Sequence, residues 1–158
     1  MSDVELKIDG LERLAKALKM DPPPAIRIGI LGGADTRKDG GLTNAEIGAH
    51  HEFGTSKMPQ RSFLRIPLAT ELPKQLEKLG AVSDAEINRV LASGNMTPWL
   101  EKVRIVAEGV VLTAFDNGGY GKWPALKPST MARKQVKQIL VETQQLRNSI
   151  TSEIVGGN

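Results

Sequence analysis

Two adjacent histidines and a carboxylate, His50, His51 and Glu52, are the residues of this chain whose types could hold a metal or move protons. Their spacing argues against both uses. Neighbouring helix positions point about 100° apart, whereas a zinc-binding helix carries His-Glu-x-x-His with both imidazoles on one face. The chain has two histidines in all and no cysteine. One histidine is expected to pack and the other to stay at the surface. A serine or threonine nucleophile needs a base oriented by a third group, and both candidate bases lie together at positions 50 and 51. Aspartates and glutamates are plentiful, but no spacing singles out a glycosidase pair. The glycines at 32, 33, 40 and 41 follow a predicted strand yet fit neither GxGxxG nor GxxxxGK with Ser or Thr, and Arg37 and Lys38 sit mid-loop, away from a helix start. The chain reads as one with no catalytic residue, no metal and no cofactor.

The histidines sit near the end of a short helix. Thr43 and Glu46 have the spacing of a capping box, and Gly54 is placed to stop the helix after Phe53. Thr55 to Met58 then form a loop that Pro59 keeps from returning to helix. Gln60 and Ser62 alternate with Arg61 and Phe63 before an apolar Leu64, which predicts a short extended piece that lays Phe63 on the core. Across the loop, Glu52 is expected to form an ion pair with Arg61, or Arg61 to anchor a contact with another subunit.

The helix ending in His-Glu-Phe-Gly-Thr (Glu52, Phe53, Gly54, Thr55), followed by Pro59-x-Arg61-x-Phe63-Leu64, resembles the neck, tail-completion and minor-tail proteins of tailed bacteriophages, the virion morphogenesis family. Downstream, Trp123, Leu126, Thr130 and Lys134, then the run from Ile139 to Ile150 with Leu146 and Ser149, are similar to that family's Trp-x-x-Leu, Thr, Lys and Leu-x-x-Thr-Gly-x-Leu-x-x-Ser-Ile pattern. The glycine usual after the threonine is Gln144 here. The resemblance implies a structural protein of the virion, assembled in the host cytoplasm, that joins head to tail or completes the tail. It implies a homo-oligomer, a ring, whose partners are connector, neck and tail-tube proteins. The residues named in these two blocks are then motif and interface positions.

A chain of 158 residues is long enough for one domain that buries a core without disulfides, and 1–158 is read as that domain, with a mobile loop near 32–42 and a loose end at 156–158. Hydrophobic residues at 40% and charged ones at 25% are ordinary for a globular protein. No apolar run reaches the roughly 20 residues of a membrane span, and the N-terminal stretch carries acids in place of a signal-peptide core.

Alternation at Val4, Leu6 and Ile8 predicts a strand, and Leu11, Leu14, Ala15 and Leu18 a helix that ends before the prolines at 22 to 24. Ile26, Ile28 and Ile30 predict a second strand. A helix with a break near Leu72 spans 67–80, and Ser83 and Glu86 open another that stops at Gly94. Thr97 and Pro98 start the longest helix, to about Phe115, with a broad apolar face. Ser129 or Thr130 is placed to cap a short helix through Val136, Leu146 to Ile150 to make one helical turn, and Ser152 to Val155 a last strand. The expected fold is α+β: a small antiparallel sheet packed against the long central helix, with shorter helices around it.

Net charge is only +3, so electrostatics must come from distribution. From Gly118 to Ile150 stand Lys122, Lys127, Arg133, Lys134, Lys137 and Arg147 against Glu142 alone. This basic segment gives an alternative, a nucleic-acid-binding module using 118–150. Aromatics at 4% supply no stacking platform, and a solvated helix face accounts for the same charges. A phage-encoded hydrolase is the remaining alternative.

Overall fold

Apolar residues at helical spacing, entered through Pro98, build the chain's longest element, a helix over Thr97–Asp116. The computed structural model describes residues 16, 18–31, 41–133, 139–140 and 144–156. Among them the order is β1 (Ala25–Ile30), α1 (Asn44–Phe53), α2 (Arg65–Thr70), α3 (Leu72–Lys78), α4 (Asp84–Ser93), α5 (Thr97–Asp116), α6 (Pro128–Arg133), α7 (Gln145–Asn148) and β2 (Ile150–Val155). The fold is α+β, with seven helices and a two-stranded antiparallel sheet among the described residues. The expected strand at 4–8 and most of the expected helix before residue 18 lie outside the described residues, as does nearly all of the 32–42 loop.

Strands β1 and β2 pair with Ile26 opposite Ile154, Ile28 opposite Ser152 and Ile30 opposite Ile150. This period of two puts the three isoleucines of β1 with Ile150 and Ile154 against the core, while Arg27 and Glu153 meet across the solvent side at 3.4 Å. On the inner side, Ser152 donates to Glu108 of α5 at 2.5 Å and accepts from Arg104 at 2.9 Å, which ties sheet to helix.

Helix α5 buries Trp99, Leu100, Val103, Ala107, Val110, Val111, Ala114 and Phe115. Leu68, Leu72 and Leu76 of α2 and α3 pack on it, as do Phe63 and Val90. Each large side chain removed from water contributes about 1.5 to 3 kcal/mol, so this face is the main source of stability. Trp99 donates its indole N–H to the Ala81 carbonyl at 2.7 Å, and Tyr120 its hydroxyl to Val110 at 3.0 Å. Burial pushes the Tyr120 phenol above its ordinary pKa.

Several boundaries differ from expectation. Met96, fully buried, is the N-cap of α5, so Thr97 is helical and Pro98 stands one residue further in than expected. Apolar Met96 is held there by the core, while Asn95 Oδ1 accepts from the Thr97 amide at 2.9 Å. Helix α6 begins at Pro128, which leaves Ser129 and Thr130 inside it. The predicted break near Leu72 falls at Glu71, between α2 and α3, and α3 ends at Lys78, short of the expected 80, with Leu79 56% exposed beyond it.

Candidate functional site

The first motif block folds back on its own helix. Thr43 Oγ1 accepts from the Glu46 amide at 3.2 Å and Glu46 accepts from the Thr43 amide at 2.8 Å, so the capping box is complete. At the other end Gly54 has φ 74° and ψ 175°, a glycine conformation, and a Cβ there would stand 2.9 Å from the Gln60 nitrogen. Thr55 and Met58 exchange backbone hydrogen bonds at 2.8 and 3.2 Å, closing a tight turn. The Arg61 amide then donates to the His51 carbonyl at 2.8 Å and the Gln60 side chain to the Glu52 carbonyl at 2.9 Å. These bonds use carbonyls that the end of α1 leaves without helical partners.

Glu52 is the centre of the block. It is 4% exposed, and its Oε1 accepts from the Ser62 hydroxyl at 2.5 Å and the Arg65 amide at 3.1 Å. Its Oε2 accepts from the Phe63 and Leu64 amides, both at 3.0 Å. Leu64 at the N-cap of α2 has no capping side chain of its own, so the carboxylate of α1 caps α2 from outside, favoured by the positive end of that helix. Ser62 Oγ accepts in turn from the Ile66 amide at 3.0 Å. A carboxylate has about four lone-pair sites. All are used here, so both Glu52 oxygens are engaged in holding the 62–65 segment.

The expected Glu52–Arg61 pair is therefore corrected. The cation near Glu52 is Arg65, at 3.8 Å and half exposed. Arg61 points the other way, is 5% exposed, and donates from Nε to the Pro124 carbonyl at 3.1 Å and from Nη2 to the Ala125 carbonyl at 3.3 Å. Burial lowers its pKa from the ordinary guanidinium value. The predicted extended alternation at 60–63 also fails, because Arg61, Ser62 and Phe63 are all buried: the guanidinium and hydroxyl find partners inside, so polarity no longer marks the solvent side.

Arg61 reaches the second motif block, and two more contacts join the blocks. Trp123, half-buried, donates its indole N–H to the Ser62 carbonyl at 2.8 Å. Phe115 lies 4.9 Å from the ring of Phe63 and 6.0 Å, edge-on, from Trp123. A Cβ on Gly119, whose φ is 67°, would stand 2.1 Å from the Trp123 ring, so only glycine fits beneath that indole. Leu146 of α7 is buried against Gly48 of α1, where an added Cβ would lie 2.9 Å from Ile30, 3.4 Å from Phe63 and 3.6 Å from Leu146. Ser149, 4% exposed, donates to the Leu146 carbonyl at 2.7 Å and ends the turn. Gln144, where the resembling pattern has glycine, takes φ 58° and ψ 2°, the left-handed conformation.

The remaining motif residues lie apart from this clasp. Phe53 is 49% exposed beneath the Arg65 guanidinium, which is 5.5 Å from its ring. Pro59 is exposed in the loop. Thr130 is half-buried on α6, and among the described residues no hydrogen bond joins its side chain to the clasp. Lys134 lies outside the described residues.

His50 is exposed and His51 half-buried, and among the described residues no three histidine, aspartate or glutamate side chains gather as metal ligands. Beside the clasp, Ile66, Tyr120, Trp123 and Pro124 wall a shallow cleft of about 200 Å³. Its cation, Lys122, stands 4.0 Å from Glu71. Of the basic segment, Arg147 is paired with Asp116 at 3.1 Å. No helix among the described residues is long and apolar enough to cross a membrane.

Gly48, Ser62, Arg65, Phe115 and Gly119 hold the clasp but were not singled out from the sequence. One signal was available: Asn44, Gly48 and Glu52, four residues apart, form the buried side of α1, and a carboxylate on a buried stripe needs donors nearby. No family model, no curated protein and no solved structure matches the chain.

Proposed function

We propose that the chain is a structural subunit of a tailed-phage virion, acting where head and tail join or where the tail is completed, and working as a homo-oligomer. The observation that carries the reading is the meeting of the two resembling blocks. Residues 61 to 63 are joined to 123 to 125 by three hydrogen bonds, and Gly48 to Leu146 by packing. Motif residues scattered along a chain that hold one another in a single clasp behave as the determinants of a fold. Assembly is then carried by the surfaces that the clasp sets in place, with the 54–60 loop and the neighbouring cleft facing connector, neck or tail-tube proteins. The warrant for the biological role is the family resemblance, which is an analogy of sequence pattern.

Deleting the reading frame from its phage and examining lysates by negative-stain electron microscopy tests the proposal. Separated heads and tails, or tails of abnormal end or length, are expected, with joined particles restored by a plasmid-borne copy. Normal yields of joined, infectious particles from the deletion would overturn it.

A further inference from the structure

The outward side of α1 has an exposed apolar residue near each end. Leu42, just before the helix, and Phe53, its last residue, are each 49% exposed. Ala45 and Ala49, both exposed, lie between them at helical spacing. Glu46 and His50, also exposed, stand one turn apart on the same flank of this line. The opposite side, Asn44, Gly48 and Glu52, is buried. Large apolar side chains left half exposed on the solvent side of a helix, here Phe53 with Leu42 before the helix, make an outer face that suits a second partner.

The sequence of that face is complementary to itself. When two copies of α1 lie antiparallel about a two-fold axis between Ile47 and Gly48, Leu42 of one copy falls opposite the partner's Phe53, and the reverse. A two-fold axis perpendicular to the helices keeps each flank on its own side, so Glu46 meets the partner's His50 twice. The Arg65 guanidinium over the Phe53 ring holds that side chain in place before any partner arrives.

We propose that the outward face of α1 is a two-fold contact between two copies of this chain, built on Leu42–Phe53 packing and two Glu46–His50 pairs across the axis. The contact is isologous, so it joins two protomers and does not by itself close a ring; a ring needs a heterologous surface elsewhere. A ten-residue helix spans only about 15 Å, so the interface sits at the small end of the range and dimerisation depends on concentration. The proposal is independent of the virion reading.

Sedimentation velocity of the purified full chain over a range of concentrations tests it. A monomer–dimer equilibrium is expected for the wild type. Phe53→Glu should be monomeric at every concentration with an unchanged far-ultraviolet circular dichroism spectrum, since the side chain is half exposed. His50→Glu, which sets like charges across the axis, should weaken dimerisation about tenfold or more, while His50→Lys keeps it. A wild type that is monomeric throughout overturns the proposal, as does any oligomer that is indifferent to Phe53→Glu or to His50→Glu. Those results would leave the phage deletion test unaffected, and a failed deletion test would leave the dimer standing.

Discussion

Glu52 and Arg61 are buried charges that hold backbone, one by accepting and one by donating. Removing the Glu52 carboxylate leaves the Ser62 hydroxyl and three amides, at Phe63, Leu64 and Arg65, without their acceptor. Hydrogen bonds to a charged group contribute about 1.5 to 3 kcal/mol each and are not additive, so Glu52→Ala is expected to cost about 3 to 5 kcal/mol in urea unfolding. Glu52→Gln should cost less than alanine, because one oxygen still accepts. A loss within error for Glu52→Ala would remove the cap from the account. Arg61→Ala is expected to cost about 2 to 4 kcal/mol, and Arg61→Lys most of that, since an ammonium lacks the planar fork that spans the Pro124 and Ala125 carbonyls. Equal stability of the lysine variant and the wild type would contradict the two-carbonyl geometry.

The ends of the elements carry predictions of their own. Hydrogen bonds from the Thr43 backbone and then its side chain hold the Glu46 carboxyl below the usual carboxylate range. A carboxyl whose folded pKa is depressed stabilises the protein above its unfolded pKa, and that contribution is lost as pH falls through the lower folded value. Acidification through that window should therefore lower the protection of the Thr43 amide, measured as its exchange rate against the intrinsic rate at the same pH, and Glu46→Gln should flatten the response; a protection that does not change with pH in the wild type would contradict the cap. Gln144 bears the cost of a left-handed conformation that glycine adopts freely. Gln144→Gly is expected to raise stability by up to about 1 kcal/mol, seen as a higher thermal midpoint, and a lower midpoint would show that the glutamine side chain supplies more than the backbone strain removes.

What could be read in the sequence follows from where the determinants are local. The capping box at Thr43, the stop at Gly54, the start of α4 at Ser83 and its end at Gly94 were legible because cap residues act within one turn. Strand β1 was legible from its period-two isoleucines, whereas β2 begins at Ile150, a residue expected in a helical turn, because pairing with Ile30 draws it into the sheet. The partners of Glu52 and Arg61 were not, because each bond joins residues brought together by the fold, and the Arg61 bonds cross more than sixty residues. Burial of Ser62 and Arg61 also breaks the polar-out rule on which the extended reading of 60–63 relied. Met96 shows the same limit at a helix end, where tertiary burial replaced cap chemistry.

At the scale of the whole molecule, the sheet, α5 and the clasp share one hydrophobic core, while ion pairs such as Arg104–Glu101 and Arg147–Asp116 lie at the surface. Glu71 lies near Lys122 and Asp116 pairs with Arg147, so the basic excess of 118–150 is partly neutralised within the chain. Quantitative mass spectrometry of purified particles of the phage proposed to encode the chain tests the central claim most directly. The account predicts the protein as a resident of the mature virion at a fixed ratio to the connector subunit. Its absence from purified infectious particles, with abundant protein left in the lysate, would contradict the account.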